Sequence, residues 1–475
     1  MFMNHLRSIV PLAAGIALAG CNMAPHYERP ALPVPAVVSD GRDSSSNNTT
    51  DAAALADTAW AEFFVEPRLR EVIRTALANN RDLRLALANV EQARAQYRVQ
   101  RADIFPTAGA VGSATYQKSP PGSVGTDGAG AASGRLDIYS VSAGISDWEI
   151  DLFGRVRNLT KAAQEEFFAV DENRKATQTA LIAEVATAWL TLAADQERLD
   201  VSRKTEAAFR QTVELTEARF RAGVASELEV RQARTSHDRA LADVASLTTQ
   251  VLQDQNALNL LAGTTVPAGQ LPGALTDGAT IDRFPDTLSS DVLLRRPDIA
   301  AAEHRLIAAN ANIGAARANF FPRISLTAAL GTMSLGLSNL FTGGSENWSV
   351  APSASLPIFD SGRNAGRLGA ARAQRDAAVA IYERTIQTAF REVADGLARR
   401  GTIDEQLKAQ RSLAANAAAS YRLSEARFRA GVEGFLNTLD AQRSHYAAQQ
   451  ELVGARLNRE TNAVELYRAL GGGLH

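Results

Sequence analysis

The chain has 475 residues, 45% of them hydrophobic, and a formal net charge of −2, so it can bury a substantial interior. The near-neutral balance and the lack of a basic stretch give no support to nucleic-acid binding. A single cysteine excludes a disulfide framework and a cysteine zinc site within the chain. We find no Walker loop, His-Glu-x-x-His pair or Gly-x-Ser-x-Gly elbow, so we predict no enzyme and no cofactor.

The first element in chain order is a signal peptide, predicted over residues 1–20. A short region with His5 and Arg7 precedes the apolar stretch IVPLAAGIALAG, which is too short to span a bilayer as a helix. The tetrad LAGC, ending at Cys21, resembles the bacterial lipobox, which implies cleavage before Cys21 and its acylation. Several acyl chains anchor a protein durably. In bacterial lipoproteins the residue after the cysteine directs the product to one membrane, so Asn22, which is not aspartate, implies the outer membrane. Ordinary cleavage beside an unmodified cysteine is the alternative.

The chain contains an internal duplication. The octapeptide EARFRAGV occurs at residues 217–224 and again at 425–432, and the similarity extends to both sides of each copy. Each copy predicts a helix, a sheet-like segment, a very long helix, a tight turn and a long helix. A Gly/Ser/Pro-rich loop over 118–134 lengthens the first copy. The predicted boundaries are a signal peptide (1–20), a lipidated tether (21–60), a first repeat (61–263), a linker (264–285), a second repeat (286–471) and a tail (472–475).

The longest helices dominate the predicted structure. Residues 155–222 contain no glycine or proline and are rich in good helix formers. At 1.5 Å per residue such an element extends about 100 Å. The helices by themselves do not exclude a soluble coiled-coil rod without a pore.

Each EARFRAGV copy predicts the turn between two antiparallel helices. Gly223 and Gly431 are placed to adopt the left-handed conformation that ends a helix. Ser226 and Glu229 have the spacing of a capping box in the first turn, whereas the second has Gly434 in place of the serine. We therefore expect the second turn to be the looser one.

Four segments between the helices alternate apolar and small polar residues, with two such strands predicted in each copy. This period of two fits strands that face lipid on one side and water on the other. Taken alone, each segment fits a half-buried strand of a soluble sheet equally well, and the signal peptide and lipobox favour the membrane strand. Pro352 inside one strand and a slip in the alternation between Ile145 and Trp148 depart from the pattern. Four strands cannot close an outer-membrane barrel, because such barrels have about eight or more, so a symmetric oligomer is expected.

Several stretches together resemble the TolC family of outer-membrane factors: LLRRPDIAAAEHRLIAANANIGAARANFFPRISL, LPIFDSGR, the twin EARFRAGV turns and LDAQRS. The start LAGCNMAPHYERP resembles its lipoprotein branch, typified by OprM and NodT. The resemblance implies a mainly α fold with β. In it, three chains form an α-barrel of long antiparallel helices, continuous with one shared 12-stranded transmembrane β-barrel. It also implies a passive exit duct in the outer membrane, with its helices in the periplasm. The implied partners are a periplasmic adaptor and an inner-membrane transporter of the resistance-nodulation-division type.

The resemblance also implies roles for residues at the turns. Asp440 matches the aspartate of the periplasmic aperture, Leu436 an apolar constriction and Arg429 a basic gate partner, and Leu228 of the first copy joins the gate. Phe428 stands where a tyrosine is expected, which removes a hydroxyl that a gate bond would use. The alternative for Asp440 is a surface pair with Arg443 at i+3. The implied adaptor contacts at the helix tips are Arg221, Gly223, Val224, Gly431 and Val432.

The predicted function is export of small molecules, such as drugs and toxic compounds. Channels for metal efflux and for type I polypeptide secretion share the same architecture, so both are alternative functions. A lipid-anchored coiled-coil protein without a pore is the alternative to a channel.

Overall fold

The structure is a computed structural model, and it describes residues 22–39, 58–118, 135–281, 284 and 287–472. The predicted lipidation site Cys21, nearly all of the 118–134 loop and the last three residues lie outside these ranges. The helices of the described residues are α1 (Trp60–Phe63), α2 (Pro67–Asn79), α3 (Arg81–Ala102), α4 (Arg155–Arg221), α5 (Glu227–Ala262), α6 (Pro297–Ala318), α7 (Arg363–Arg429) and α8 (Phe435–Ala469). The strands are β1 (Val37–Ser39), β2 (Ala108–Lys118), β3 (Arg135–Glu149), β4 (Thr287–Ser289), β5 (Arg323–Ser334) and β6 (Glu346–Ser355).

The chain divides into two compact units, and the long helices α4 and α7, of 67 residues each, run through both. The first unit comprises residues 1–30, 90–170 and 302–381; the second comprises 31–89, 171–301 and 382–475. The chain is therefore mainly helical with a smaller β component, as predicted.

The first unit contains the four predicted strands in one antiparallel sheet, ordered β2-β3-β5-β6. The register sets Leu330 opposite Trp348, and both side chains are largely exposed on the apolar face. On the other face the hydroxyl oxygens of Ser325 and Ser353 lie 2.8 Å apart across the β5–β6 pair. The alternation in the sequence thus becomes one apolar face and one face of small polar residues.

The two departures from the strand pattern have structural explanations. The β3–β5 register shifts between Ile145 and Trp148, which is a bulge, and Asp147 there has a φ of 49°. The extra residue returns Trp148 to the face it would otherwise leave. Pro352 lies in β6, an edge strand of this sheet, where a missing backbone N–H is tolerated.

The segment after Cys21 packs along α6 in the first unit. The backbone oxygens of Met23 and Pro25 accept hydrogen bonds from Arg317 and Asn310. The Asn22 side chain accepts from Asn158 Nδ2 at 3.0 Å. This part of the predicted tether therefore has a defined course.

The second unit holds the main apolar core. Phe63 stacks on Tyr467 with ring centroids 4.0 Å apart, and the Tyr467 hydroxyl donates to the carbonyl of Thr58. Trp189 is fully buried, and its indole N–H donates to the carbonyl of Gln270. Within the described part of the chain, no helix is both long and apolar enough to cross a lipid bilayer.

Candidate gate at the helical turns

Both EARFRAGV turns end their helices with the same backbone geometry. Gly223 and Gly431 each have a φ of 77°, in the left-handed region. In the first turn Val224 N donates to Arg219 O and Gly223 N to Phe220 O, the pair of bonds that defines a Schellman motif. The second turn repeats both bonds. The glycines are required because other residues adopt this conformation at a cost.

The first turn is capped by Ser226, as its sequence predicts. The Ser226 hydroxyl accepts from the backbone N–H of Glu229 at 3.3 Å, at the start of α5. Nearby, Glu217 accepts from Arg234 at 2.6 Å, which joins α4 to α5. The first hairpin is thus fixed by a cap and an ion pair.

The second turn lacks a side-chain cap at Gly434, and the carboxylate beside it is held by two other side chains. Glu433 accepts from Asn437 Nδ2 at 2.7 Å and from Arg427 Nε at 2.6 Å. These two bonds hold the pKa of Glu433 below its usual range. The sequence predicted the missing cap and gave no sign of this clamp.

Phe428, which stands in place of the expected tyrosine, is buried beneath the turns. Its ring contacts Phe435, with centroids 5.9 Å apart, in a cluster that also includes Phe209. The guanidinium of Arg219 lies 4.8 Å from the centre of the Phe428 ring. A cation–π contact therefore joins the two repeats at Phe428.

The predicted gate residues are exposed in the single chain. Leu228 and Leu436 are 63% and 56% exposed. Arg429 donates to Glu425 at 2.7 Å, one helical turn away, and not to Asp440. Asp440 is exposed and makes no hydrogen bond or ion pair with any residue that the structure describes. Near its second turn, the chain thus presents a carboxylate that has no partner among the described residues.

Arg443, the alternative partner of Asp440, is engaged elsewhere. Its guanidinium donates to Ser236 Oγ at 2.7 and 3.0 Å, which joins α8 to α5. Three residues further along, the Tyr446 hydroxyl donates to Asp243 at 3.1 Å and lies 2.8 Å from Ser202 Oγ. The surface pair with Arg443 is therefore not formed. Sequence reasoning missed these contacts, because they join positions about two hundred residues apart.

The predicted adaptor contacts all lie at the surface of the turns. Val224 and Val432 are 64% and 66% exposed, and Arg221 is also exposed. A Cβ added to Gly223 or Gly431 would meet no atom within 4 Å. Both tips therefore present an open surface.

The comparisons with known proteins agree with this architecture. The outer membrane efflux protein family matches residues 72–264 and 288–472. The antibiotic efflux pump outer membrane protein ArpC and the toluene efflux pump outer membrane protein TtgC, both of Pseudomonas putida, are each 45% identical over 468 residues. These alignments cover 98% of this chain and 96% of each relative. The open state of the MtrE outer membrane channel of Neisseria gonorrhoeae is similar with a TM-score of 0.84 and 36% identity, over 96% of this chain and 99% of that one. The chain therefore belongs to the outer membrane efflux protein family.

Proposed function

We propose that this chain is the outer-membrane channel of a tripartite efflux pump and a passive exit duct for small, largely apolar molecules. The observation with most weight is the family match, which spans both repeats. The sheet adds a physical reason, since its apolar face suits lipid and its serine-rich face suits a wet lumen. Energy for transport then comes from a partner in the inner membrane.

The assembly that follows is a homotrimer. Both edge strands of the four-stranded sheet, β2 and β6, lack an outer neighbour among the described residues, and three copies supply twelve strands for one closed barrel. A periplasmic adaptor would contact the exposed turns around Val224 and Val432, and an inner-membrane transporter of the resistance-nodulation-division type would supply substrate.

The substrate class is proposed from the relatives, whose names include toluene and antibiotic efflux. Deleting the gene from its own bacterium should lower tolerance to toluene and to apolar antibiotics, and a plasmid copy should restore it. Tolerance to copper and zinc salts and the profile of secreted proteins should not change. A selective loss of metal tolerance or of protein secretion would contradict the small-molecule assignment. It would support a metal-efflux channel or a polypeptide-secretion channel instead.

The gate is proposed at the second hairpin. In a threefold assembly the three Asp440 carboxylates would face one another across the lumen, where like charges attract cations and repel each other. Leu436 and Leu228 would narrow the mouth beside them. The exposure of all three side chains, and the lack of a partner for Asp440 among the described residues, leave them available for this role.

We also propose that Cys21 carries the lipid anchor. The intact mass of the mature protein should correspond to a chain that begins at Cys21 with added acyl groups. Cys21→Ser should abolish the added mass, because Cys21 is the sole cysteine and no other thiol can carry the lipid. A wild-type mass equal to the unmodified chain from residue 21 would refute the anchor and leave the channel assignment intact.

A further inference from the structure

An open cavity of about 410 Å³ lies in the first unit, where β3 leads into α4 and β6 leads into α7. Residues of both repeats line it. Its charged lining comprises four arginines and three carboxylates: Arg155, Arg323, Arg363, Arg367, Glu149, Asp151 and Asp360.

The carboxylates of this cavity are already engaged. Glu149 accepts two bonds from Arg155, at 2.6 and 2.8 Å, and one contact from Arg323 at 2.8 Å. Asp151 accepts from the backbone N–H of Arg157 at 2.8 Å. Asp360 accepts from the backbone N–H groups of Gly362 and Asn364, so it already caps the start of α7.

The duplication explains why two arginines are left over. Arg363 is the second-repeat counterpart of Arg155, 208 positions later, but the counterpart of Glu149 is Pro357. Arg363 has therefore lost the carboxylate that holds its twin. Arg367 replaces Leu159 of the first copy and adds a second cation. The side chains of Arg363 and Arg367 are exposed and form no hydrogen bond or ion pair within the described ranges.

The uncharged lining is mostly apolar, with Asn319, Ser355 and Asn364 as its polar members. Phe153 and Phe321 stack there with ring centroids 4.7 Å apart, and Ile150 and Ile324 also contribute. Phe359, just before α7, is 88% exposed. Arginines beside an apolar wall suit a phosphate that is attached to acyl chains better than a bare phosphate ion.

We propose that this cavity binds the headgroup of an anionic phospholipid, with its phosphate on Arg363 and Arg367 and its acyl chains along the exposed apolar surface. This inference rests on the proposed function, because it requires the sheet to lie in a membrane and the cavity to lie at its periplasmic side. Arginine presents a planar fork of donors that matches the phosphate oxygens. The lipid phosphate would take the place that Glu149 has beside Arg155 in the first repeat, where the second repeat has Pro357.

Native mass spectrometry of the purified trimer, released from detergent with defined lipids, tests the proposal. Phosphatidylglycerol should be retained by the wild type, and Arg363→Gln/Arg367→Gln should weaken retention about tenfold, as expected from the loss of two solvent-exposed charge contacts. The matched control is Arg391→Gln/Arg422→Gln, which removes two exposed arginines from the same helix and should retain lipid like the wild type. Circular dichroism and the trimer mass establish that both double variants fold.

Three outcomes would overturn the proposal. The first is equal retention of phosphatidylglycerol by both double variants. The second is equal retention of phosphatidylglycerol and phosphatidylethanolamine by the wild type, and the third is binding of inorganic phosphate without lipid. The assay measures occupancy in purified protein, whereas the proposed function is measured by toluene and antibiotic tolerance in cells. Failure of one is therefore distinguishable from failure of the other.

Discussion

Replacing Asp440 by alanine is expected to increase the conductance of the purified protein in a planar lipid bilayer severalfold. In the proposed trimer, three carboxylates narrow the mouth and concentrate cations there, so their removal widens the passage and lowers cation selectivity. Wild-type openings should be small or rare by comparison. The measurement is the single-channel conductance and the reversal potential in a salt gradient.

Matched variants separate the effects of the charge, the volume and the position of the Asp440 side chain on conductance. Asp440→Asn keeps the shape of the side chain and removes its charge, so it should lose cation selectivity with a smaller gain in conductance. Asp238→Ala removes an exposed carboxylate from the first hairpin, where the side chain is 77% exposed, and should behave like the wild type. Identical conductance in wild type and Asp440→Ala would discard the gate and keep the channel. No current from inserted trimers would contradict the channel itself.

The fold was predictable from the sequence where local patterns govern it. The glycine-ended turns follow from EARFRAGV, since Gly223 and Gly431 are the residues that adopt a positive φ readily. The sheet followed from the alternation of apolar and polar residues. The slip between Ile145 and Trp148 marked an irregularity that a bulge or a bend could explain, and the register shift in the structure identifies it as a bulge.

The contacts around the candidate gate were less predictable, because they join residues distant in sequence. Periodicity places Arg443 on α8, yet nothing local indicates that Ser236 of α5 will accept its hydrogen bonds. Likewise, the sequence shows Phe428 where the family resemblance implies a tyrosine, but it does not show that Arg219 lies over the Phe428 ring. Such pairings are fixed by the packing of one repeat against the other, so they need coordinates.

A buried arginine that joins three elements of the second unit should have the largest effect on stability. Arg296 precedes Pro297, at the start of α6, and its side chain is only 8% exposed. It binds Asp298 at 2.8 Å, Glu392 of α7 at 3.0 Å and the carbonyl of Ala469, the last residue of α8, at 2.7 Å. Burial lowers the pKa of Arg296, but the two carboxylates outweigh that effect and raise it, so the charge persists at any pH the protein meets.

Arg296→Met should therefore destabilise the protein by about 3 kcal/mol, at the low end for a broken buried pair because both carboxylates retain some solvent. Methionine fills much of the same space, so little of the lost stability comes from a cavity. Most of it comes from the unpaired carboxylates and the unsatisfied carbonyl. The midpoint of thermal unfolding, followed by circular dichroism, should fall by about 3 °C, since the unfolding entropy of so long a chain is large. Arg391→Met, which removes an exposed arginine next to Glu392, should leave the midpoint unchanged. Equal midpoints for these two variants would show that the contacts of Arg296 add no net stability.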